Sequence, residues 1–279
     1  MNILAIIVTY YPNADDLVTN VFSFINEVET LIIWDNTPLS DQLNNHFEVF
    51  KKNKKIIQAG TGKNMGLAFA FNYAIDFMRE DSEKYTHLLT MDQDSTWINF
   101  KDFVDVAKVS STNSIYSPNI NHHLPQSLEL SKVKTCINSG ALFPVEVLNI
   151  IGKFNEVYSV DAVDYDFCFR ANIKGISIIK VPWCHMNQKF GVRLKSKYFN
   201  LETNVYSPKR LFFIARNHIL LWRDYPAQLD FQLKKMILIS YTFGKMIKVT
   251  LMEDDKIKKN ISILSGFFCG LMNNRTKKY

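Results

Sequence analysis

The first half of the chain alternates apolar segments with amphipathic ones, and this order limits the fold more than any other feature. The segments ILAIIVTYY, ETLIIWDNTP, KKIIQAG and THLLTMDQDS each predict a strand, and the first is continuously apolar, as in a strand covered on both faces. The segments ADDLVTNVFSFINEV and NMGLAFAFNYAIDFMRE have helical spacing. Such alternation predicts an α/β fold with an open, mostly parallel sheet flanked by helices.

The second half adds fewer strands and longer helices. TCINSGALFPVEVLNIIGKF predicts a short strand and a helix, and VDAVDYDFCFRANIKGISIIKVP predicts a helix and a strand. SPKRLFFIARNHILLWRDYP predicts an apolar helix in which Arg216 is either a buried structural residue or a diphosphate clamp. We therefore predict an α/β domain over residues 1–205 and a helical C-terminal region over residues 206–279.

Polar side chains follow three of the predicted strands. Ligands of open α/β sheets bind outside the carboxyl ends of the strands, so we expect a site at this edge. Asp92 and Asp94 supply hard oxygen ligands of the kind that Mg²⁺ or Mn²⁺ takes together with substrate phosphates. Turn or helix-capping aspartates are the alternative interpretation of this pair. The polar strand ends are Thr9 and Tyr10, Asp35 and Asn36, and Asp92 and Asp94.

Several common site motifs are absent from the sequence. TYYPNADD follows the first strand where a dinucleotide-binding chain would have G-x-G-x-x-G. GTGKNMG lacks the order of a P-loop, and neither G-x-S-x-G nor H-E-x-x-H occurs. These absences argue against a nicotinamide-dependent oxidoreductase, a P-loop enzyme, an α/β-hydrolase and a zinc protease.

The four cysteines and the N-terminus indicate a cytoplasmic protein. Cys136, Cys168, Cys184 and Cys269 have neither zinc-ligand nor redox spacing, so we expect reduced thiols. The apolar run after Met1 has no basic residues before it and is too short for a signal peptide. No uninterrupted apolar segment reaches about 18 residues, so we expect no transmembrane helix.

The positive charge of the chain is concentrated in its tail. Ten Lys/Arg and three Asp/Glu follow residue 230, which gives +7 against +6 for the whole chain. If FQLKKMILISYTFGKMIKVTLM forms one helix, Lys234, Lys245 and Lys248 lie on one face, opposite apolar side chains. This pattern predicts peripheral attachment to an anionic membrane surface at the inner face of the cytoplasmic membrane. A helix packed on the domain with its lysines in water is the alternative.

The motifs IIVTYYPN, IIWDNTP, NMGLAFAFNYAI, MDQDS, VDAVDYDFCFRANIKG, SPKRLFFIARN and ILSGFFCGLMNNRTKK occur in that order along nearly the whole chain. In this order the chain resembles the family 2 glycosyltransferases of the GT-A fold, with the rhamnosyltransferase-like branch as the nearest likeness. The resemblance implies a nucleotide-diphosphate sugar donor, a glycan or lipid-linked acceptor, a Mg²⁺ or Mn²⁺ cofactor and no nucleic acid partner.

The resemblance also implies roles for individual residues. Asp94 binds the metal, with Asp92 beside it near the ribose or a metal-bound water. His185 is placed near the metal or the diphosphate, although an ordinary loop histidine is an equal alternative. The nucleotide-sugar site is implied to contain Thr9, Tyr10, Asp35, Asn64, Gly66 and Asp92.

The general base is implied by the run VDYDFCFR. Asp164 matches the base of the family, and Val163 stands where the family commonly has another acid. This departure leaves Asp161 as a rival for the base, whereas Asp166 is expected to be structural.

The resemblance implies an inverting, metal-dependent transfer of one sugar during surface polysaccharide synthesis, and the likeness to the rhamnosyltransferase-like branch favours rhamnose as that sugar. No Q-x-x-R-W motif of processive synthases is present, which favours a non-processive enzyme. The alternatives are a sugar-phosphate nucleotidyltransferase and a catalytically silent nucleotide-sugar-binding protein.

Overall fold

The computed structural model describes residues 1–41, 47–81, 83–110, 113–121, 128–158, 160–189, 191, 193–196 and 201–275. The chain forms two compact units. The first consists of Met1–Glu156 and Phe167–Lys189, and the second of Val157–Asp166 and Phe190–Lys278. The boundary predicted at residue 205 differs from this division, because the segments Arg193–Lys195 and Glu202–Asn204 group with the C-terminal helices.

The first unit contains the strands and helices expected from the sequence, together with further strands and a helix that were not predicted. Its strands are β1 (Ile3–Thr9), β2 (Thr30–Asp35), β3 (Ile56–Gly60), β4 (His87–Asp92), β5 (Ser95–Trp97), β6 (Ser114–Ile120), β7 (Ser131–Val133), β8 (Ala141–Pro144) and β9 (Ser177–Gln188). Its helices are α1 (Ala14–Phe22), α2 (Leu67–Glu80), α3 (Phe100–Val109), α4 (Val145–Ile151) and α5 (Val163–Ile173), the last of which begins in the segment assigned to the second unit.

These strands form one mixed sheet in the order β3-β2-β1-β4-β8-β6-β9-β5, and β7 also pairs with β9. The four strands β3, β2, β1 and β4 are parallel to their neighbours, whereas β8 runs antiparallel to β4. Every residue of β1 and of β2 is buried, as the apolar character of both segments predicted. The predicted α/β fold with a mostly parallel first half is therefore confirmed.

The second unit is mainly helical. It contains a hairpin of β10 (Arg193–Lys195) and β11 (Glu202–Asn204), followed by α6 (Pro208–Asp224), α7 (Phe231–Ser240), α8 (Phe243–Met252) and α9 (Lys256–Leu271). Helix α6 begins with Ser207, whose hydroxyl accepts a hydrogen bond from the Arg210 N–H, and with a proline at its first position. Gly266 lies so close to α6 that an added Cβ would be 2.2 Å from the Phe212 carbonyl oxygen, so this contact between helices requires glycine.

The prediction of one continuous helix from FQLKKMILISYTFGKMIKVTLM is wrong. Helix α7 ends at Ser240, and Thr242 has a non-helical backbone with φ −127° and ψ −101°. The Thr242 hydroxyl donates to the Ile237 carbonyl oxygen over 3.0 Å. This bond gives a partner to one of the carbonyl groups in the last turn of α7, which have none within the helix. The turn between α7 and α8 requires glycine at position 244, because a Cβ there would lie 2.1 Å from the Ile239 carbonyl oxygen.

The prediction that Lys245 lies on an exposed basic face is also wrong. This side chain is buried, and its ammonium group donates to Glu253 Oε1 over 2.6 Å. Lys259 donates to the other Glu253 oxygen over 2.9 Å, and it too is buried. Glu253 thus holds two ammonium groups inside the second unit, so Lys245 has no place on an exposed face.

Glu253→Gln should destabilise the protein by about 3 kcal/mol, because the loss of one partner leaves buried charges uncompensated. Glu202→Gln is the matched control, since Glu202 also pairs with two cations but is exposed, and exposed pairs are worth about 1 kcal/mol or less. Urea unfolding followed by circular dichroism measures both changes. Equal midpoints for Glu253→Gln and the wild type would contradict a structural role for this cluster.

Candidate functional site

The carboxyl ends of the parallel strands lie side by side, as the sequence predicted. Strand register places Thr9 opposite Asp35 on one side of β1, and Val8 opposite Asp92 on the other. Asp35 is in turn opposite Gly60, the last residue of β3. Neighbouring strands are about 4.8 Å apart, so these ends form one continuous rim, which we call the donor rim.

Asp35 and Thr9 form a buried hydrogen-bonded group at the centre of the donor rim. Asp35 Oδ1 accepts from the Thr9 hydroxyl over 3.2 Å and from the Thr37 N–H over 2.8 Å. Thr9 is fully buried, and Asp35 is 7% exposed. Thr9 therefore orients the Asp35 carboxylate, and the contact of either side chain with a nucleotide stays a prediction.

Tyr10 is the exposed aromatic residue of the donor rim. The residue is 48% exposed, and its ring packs edge-on against the Tyr11 ring, with the centroids 4.6 Å apart. Gln93 fixes the Tyr10 backbone at both polar groups: Gln93 Oε1 accepts from the N–H over 2.7 Å, and Gln93 Nε2 donates to the carbonyl oxygen over 3.2 Å. Sequence reasoning missed Gln93, although its place between two aspartates and its paired donor and acceptor were a usable signal.

The loop before α2 carries Asn64 and Gly66. Asn64 Oδ1 accepts from the Gly66 N–H over 3.0 Å, and Gly66 has φ +83°, a conformation that favours glycine. Asn36 Oδ1 accepts from the Met65 N–H over 3.1 Å, which ties this loop to the end of β2. The N-terminus of α2, where backbone N–H groups and the helix dipole favour phosphate, is thereby held at the donor rim.

Asp92 is the last residue of β4 and Asp94 lies in the turn before β5, and this turn is held against the end of β9. Asp92 Oδ2 accepts from Gln188 Nε2 over 2.7 Å, and the Asp92 carbonyl oxygen accepts from Asn20 Nδ2 over 2.7 Å. The Lys189 N–H donates to the Asp94 carbonyl oxygen over 3.0 Å. Asp92 and Asp94 thus lie two residues apart at the donor rim, and Gln188 is a contact that sequence reasoning missed.

His185 is not brought beside these aspartates. It pairs with Asn119 in the sheet, and its N–H donates to Asn99 Oδ1 over 2.7 Å. Lys189, which donates to Asp94, lies four residues beyond His185 along the chain, a span of about 13 Å in extended backbone. Within the described residues, no group of three or more His, Cys, Asp and Glu side chains is arranged to hold a metal ion. The role of His185 at a metal stays a prediction that the strand register does not favour.

The oxygen atoms at this turn nevertheless fit a divalent cation. Asp92 and Asp94 offer carboxylates, and Gln188 Oε1 is buried with no hydrogen-bond partner among the described residues. All are hard oxygen donors, and Mg²⁺ or Mn²⁺ commonly takes one or two carboxylates and completes its coordination with water and substrate phosphates. Asp92 and Asp94 are therefore the residues that would hold the metal.

Asp164 lies in the first turn of α5, in the second unit. The half-buried carboxylate accepts from the Tyr165 N–H over 3.0 Å. Burial raises the pKa of Asp164 from 3.8 to about 6, and the charge of Asp161 acts in the same direction. A carboxylate with this pKa is a stronger base than an exposed aspartate and is still ionised at neutral pH.

The rival residue Asp161 has a different environment. Its carboxylate pairs with Arg210 over 3.4 Å. Asp161 and Ala162 have φ values of +51° and +60°, and two consecutive non-glycine residues in this region indicate local strain just before α5. The Asp161 carboxylate is engaged by a guanidinium group, so the local contacts favour Asp164 as the base.

Asp166 and Arg216 are buried in the second unit. Asp166 accepts from the Tyr225 hydroxyl over 2.7 Å. Arg216 donates to the Val157 carbonyl oxygen over 2.8 Å and to Asn217 Oδ1. Both side chains thus have structural contacts, and of the two interpretations of Arg216 the buried structural one agrees with its position.

The chain is similar to the dTDP-rhamnosyl transferase RfbF of Shigella flexneri, with 24% identity over 260 residues that cover 85% of each chain. No family model matches the chain. Its structure is similar to a crystal structure of GalNAc-T7 with UDP, GalNAc and Mn²⁺, with a TM-score of 0.60 and 9% identity. This likeness covers 98% of the present chain and 56% of the GalNAc-T7 chain, so the protein spans little more than half of that neighbour.

These likenesses and the sheet order establish the class of the protein, which has the GT-A glycosyltransferase fold with a helical C-terminal region. The resemblance predicted from the sequence is confirmed, since the chain has rhamnosyltransferase-like relatives.

Proposed function

We propose that the protein is an inverting, metal-dependent and non-processive glycosyltransferase that moves one sugar from a nucleotide-diphosphate donor to a glycan or lipid-linked acceptor. The observation that carries the proposal is the strand register that aligns Thr9 with Asp35 and places Asp92 beside β1. RfbF is named as a dTDP-rhamnosyl transferase, which favours dTDP-rhamnose as the donor. The Mn²⁺ in the GalNAc-T7 structure supports a divalent cation in this fold.

The donor rim provides contacts for each part of such a donor. Tyr10 offers an exposed ring to the base, and Asp35 offers a fixed carboxylate to the ribose hydroxyls. Asn64 and Gly66 shape the loop that leads into the N-terminus of α2, near the diphosphate. Asp92 and Asp94 would hold a Mg²⁺ or Mn²⁺ ion here, with Gln188 orienting Asp92. Such an ion would supply positive charge to the diphosphate of the leaving group.

Asp164 acts as the general base in this proposal. Its carboxylate takes the proton of the acceptor hydroxyl as the oxygen attacks the anomeric carbon of the donor sugar. The bond between that carbon and the diphosphate oxygen breaks, and the nucleoside diphosphate leaves with the bonding electrons. A single displacement inverts the configuration of the sugar.

A thermal-shift experiment tests the donor assignment. Binding to the folded state alone raises the melting temperature, and 100 Kd of ligand adds about 2.7 kcal/mol of stability. We expect dTDP-rhamnose with Mn²⁺ to raise the melting temperature by several degrees, and the same sugar with chelator to raise it much less. UDP-glucose and GDP-mannose, measured in the same way, are the donors with which dTDP-rhamnose is compared. The absence of a shift with every nucleotide-sugar would contradict the proposal.

We further propose a peripheral contact with an anionic membrane surface, carried by exposed side chains of the C-terminal helices. None of the helices in the described residues is long and apolar enough to cross a bilayer. Ile257, Ile261, Phe268 and Met272 are all exposed and follow helical spacing along and just beyond α9. Lys235, Lys256 and Lys258 are exposed on the same unit and supply positive charge, in place of the buried Lys245.

The protein should therefore pellet with vesicles that contain anionic phosphatidylglycerol, and high salt should weaken the interaction by screening the lysines. The double variant Ile261→Glu/Phe268→Glu should reduce pelleting several-fold, because both changes place a charge on the apolar stripe. Val109→Glu is the control, since Val109 is 87% exposed in the first unit. Equal pelleting of the double variant and the wild type would contradict this contact.

A further inference from the structure

The second unit contains a cavity of about 220 Å³ that the proposed donor rim does not use. The β10–β11 hairpin, α6, the turn after α7 and helix α8 form its wall. Pockets that hold drug-sized ligands measure roughly 300–1,000 Å³, so this cavity suits a smaller group, such as one sugar ring or a phosphate. The residues that concern its chemistry are Arg193, Glu202, Tyr206, Tyr241, Lys245 and Lys248.

The charges on and behind the wall leave a net positive potential. Glu202 is shared by Arg193 and Lys195, at 3.4 Å and 3.5 Å, so that these three groups sum to +1. The buried cluster of Lys245, Glu253 and Lys259 also sums to +1. Lys248 adds a further positive charge. An excess of cations around a concave site attracts an anionic ligand.

Two of the wall cations are available to such a ligand. The Lys245 ammonium group already donates to Glu253, to the Thr203 hydroxyl and to the Asn204 carbonyl oxygen, which uses its three protons. Lys248 is half-buried and makes no hydrogen bond or ion pair with the described residues. Among the described residues, Arg193 makes only long contacts, of 3.4 Å and 3.5 Å, and it is largely exposed.

The cavity lies next to the segment that carries Asp164. Asp161 pairs with Arg210, whose guanidinium group lies 4.6 Å from the centroid of the Tyr206 ring in the wall. The His218 ring stacks on the Tyr241 ring with a centroid distance of 4.0 Å, and Tyr165 packs edge-on against His218. Burial, and then the nearby Tyr165, Asp161 and Asp164, raise the pKa of Tyr241, so its hydroxyl stays protonated and able to donate.

We propose that this cavity binds a phosphate group carried by the acceptor, with Lys248 and Arg193 as its charged partners and Tyr241 as a neutral donor. The inference rests on the proposed glycosyltransferase function and adds the chemical class of the acceptor. A dianionic phosphate matches the net charge of +3 on and behind the wall better than a neutral sugar does. Bound there, the phosphate would anchor the acceptor near Asp164.

Calorimetry with the donor rim saturated by dTDP and Mn²⁺ tests the cavity alone. The probes are glucose 1-phosphate, inorganic phosphate and methyl glucoside. We expect both phosphates to bind at least roughly tenfold more tightly than methyl glucoside, as expected for charge-assisted hydrogen bonds. Tighter binding of glucose 1-phosphate than of inorganic phosphate would place a sugar ring beside the anion. Equal affinities would mean that the phosphate alone is recognised, and either result supports the proposal.

Lys248→Ala and Arg193→Ala should each weaken the binding of the phosphate probes by roughly ten- to hundredfold. Lys248→Arg should restore most of it. Lys195→Ala is the matched control: Lys195 pairs with the same Glu202 but does not line the cavity, so less than a twofold change is expected. Unchanged melting temperatures confirm that the variants fold.

The proposal is overturned if methyl glucoside binds as tightly as the phosphates, if no phosphate probe binds, or if Lys248→Ala binds like the wild type. Its failure is distinct from failure of the proposed function, because dTDP binding in Mn²⁺ is measured with the same protein samples. Normal dTDP binding without phosphate binding removes only this inference. Absent dTDP binding removes the dTDP-sugar as the donor of the proposed function, and inorganic phosphate then still tests the cavity.

Discussion

Replacing Asp164 by asparagine should lower kcat by roughly 10²–10⁴-fold and leave the affinity for the nucleotide-sugar nearly unchanged. This range is the typical contribution of general acid–base catalysis, and asparagine preserves the shape of the side chain while removing its basicity. Asp161→Asn should reduce kcat much less, because the Asp161 carboxylate is paired with Arg210. Steady-state kinetics with a saturating donor give kcat, and calorimetry with the donor gives the affinity.

The pH dependence gives a second measure of the same residue. Because the pKa of Asp164 is raised to about 6, the carboxylate loses its ability to accept a proton as the pH falls through that value. The kcat of the wild type should therefore fall about tenfold for each pH unit below about 6 and level off above it. A profile that is flat from pH 5 to pH 8 would contradict this assignment, as would full activity of Asp164→Asn.

Stability separates a catalytic loss from unfolding. The folded state binds the Asp164 proton more tightly than the unfolded chain, whose pKa is near 3.8, so ionisation of Asp164 destabilises the fold as the pH rises from about 4 to above 6. Asp164→Asn removes this ionisation. The variant should therefore melt at a higher temperature than the wild type at pH 7 and at nearly the same temperature at pH 4. A variant that is inactive but more stable at pH 7 has lost its chemistry and not its fold.

The sequence predicted the donor rim well because the information there is local. The end of an apolar run in the sequence marks the end of the strand, and parallel strands bring their carboxyl ends to one edge of the sheet. The positions of Thr9, Asp35 and Asp92 therefore followed from strand pattern alone. Gln188 did not, since it reaches Asp92 from 96 residues away, through the antiparallel pairing of β5 with β9.

The C-terminal region was predicted less well, because helical periodicity does not report where a helix stops. The segment around Tyr241 and Thr242 contains neither proline nor a charged residue, yet the Thr242 hydroxyl and Gly244 permit a tight turn there. The burial of Lys245 depends on Glu253, which follows the end of α8 and which pattern analysis did not connect with it. A lysine that appears to lie on a polar face can thus be an internal ion-pair partner when a carboxylate follows one or two turns later.

Replacing Asp94 by alanine should abolish the increase in nucleoside diphosphate affinity that Mn²⁺ gives to the wild type. Two unit charges 4 Å apart interact by roughly 4 kcal/mol at an effective dielectric constant of 20, so a diphosphate beside Asp92 and Asp94 is strongly repelled unless a cation lies between them. We expect dTDP to bind the wild type about 100-fold more tightly in Mn²⁺ than in chelator, and Asp94→Ala to bind it with the weak affinity in both conditions.

Calorimetry with dTDP measures these affinities, and Asp105→Ala is the control because Asp105 is exposed on α3 and pairs with Lys108. The control should keep the full response to Mn²⁺. In chelator, Asp94→Ala should bind dTDP no more weakly than the wild type, because the variant has lost a repelling charge as well as a metal ligand. Weaker binding of dTDP by Asp94→Ala in Mn²⁺, without weaker binding in chelator, distinguishes a metal bridge from a carboxylate that supports the fold. A damaged fold would weaken dTDP binding in both conditions. Equal dTDP affinity of the wild type with and without chelator would show that Asp92 and Asp94 hold no cation during donor binding.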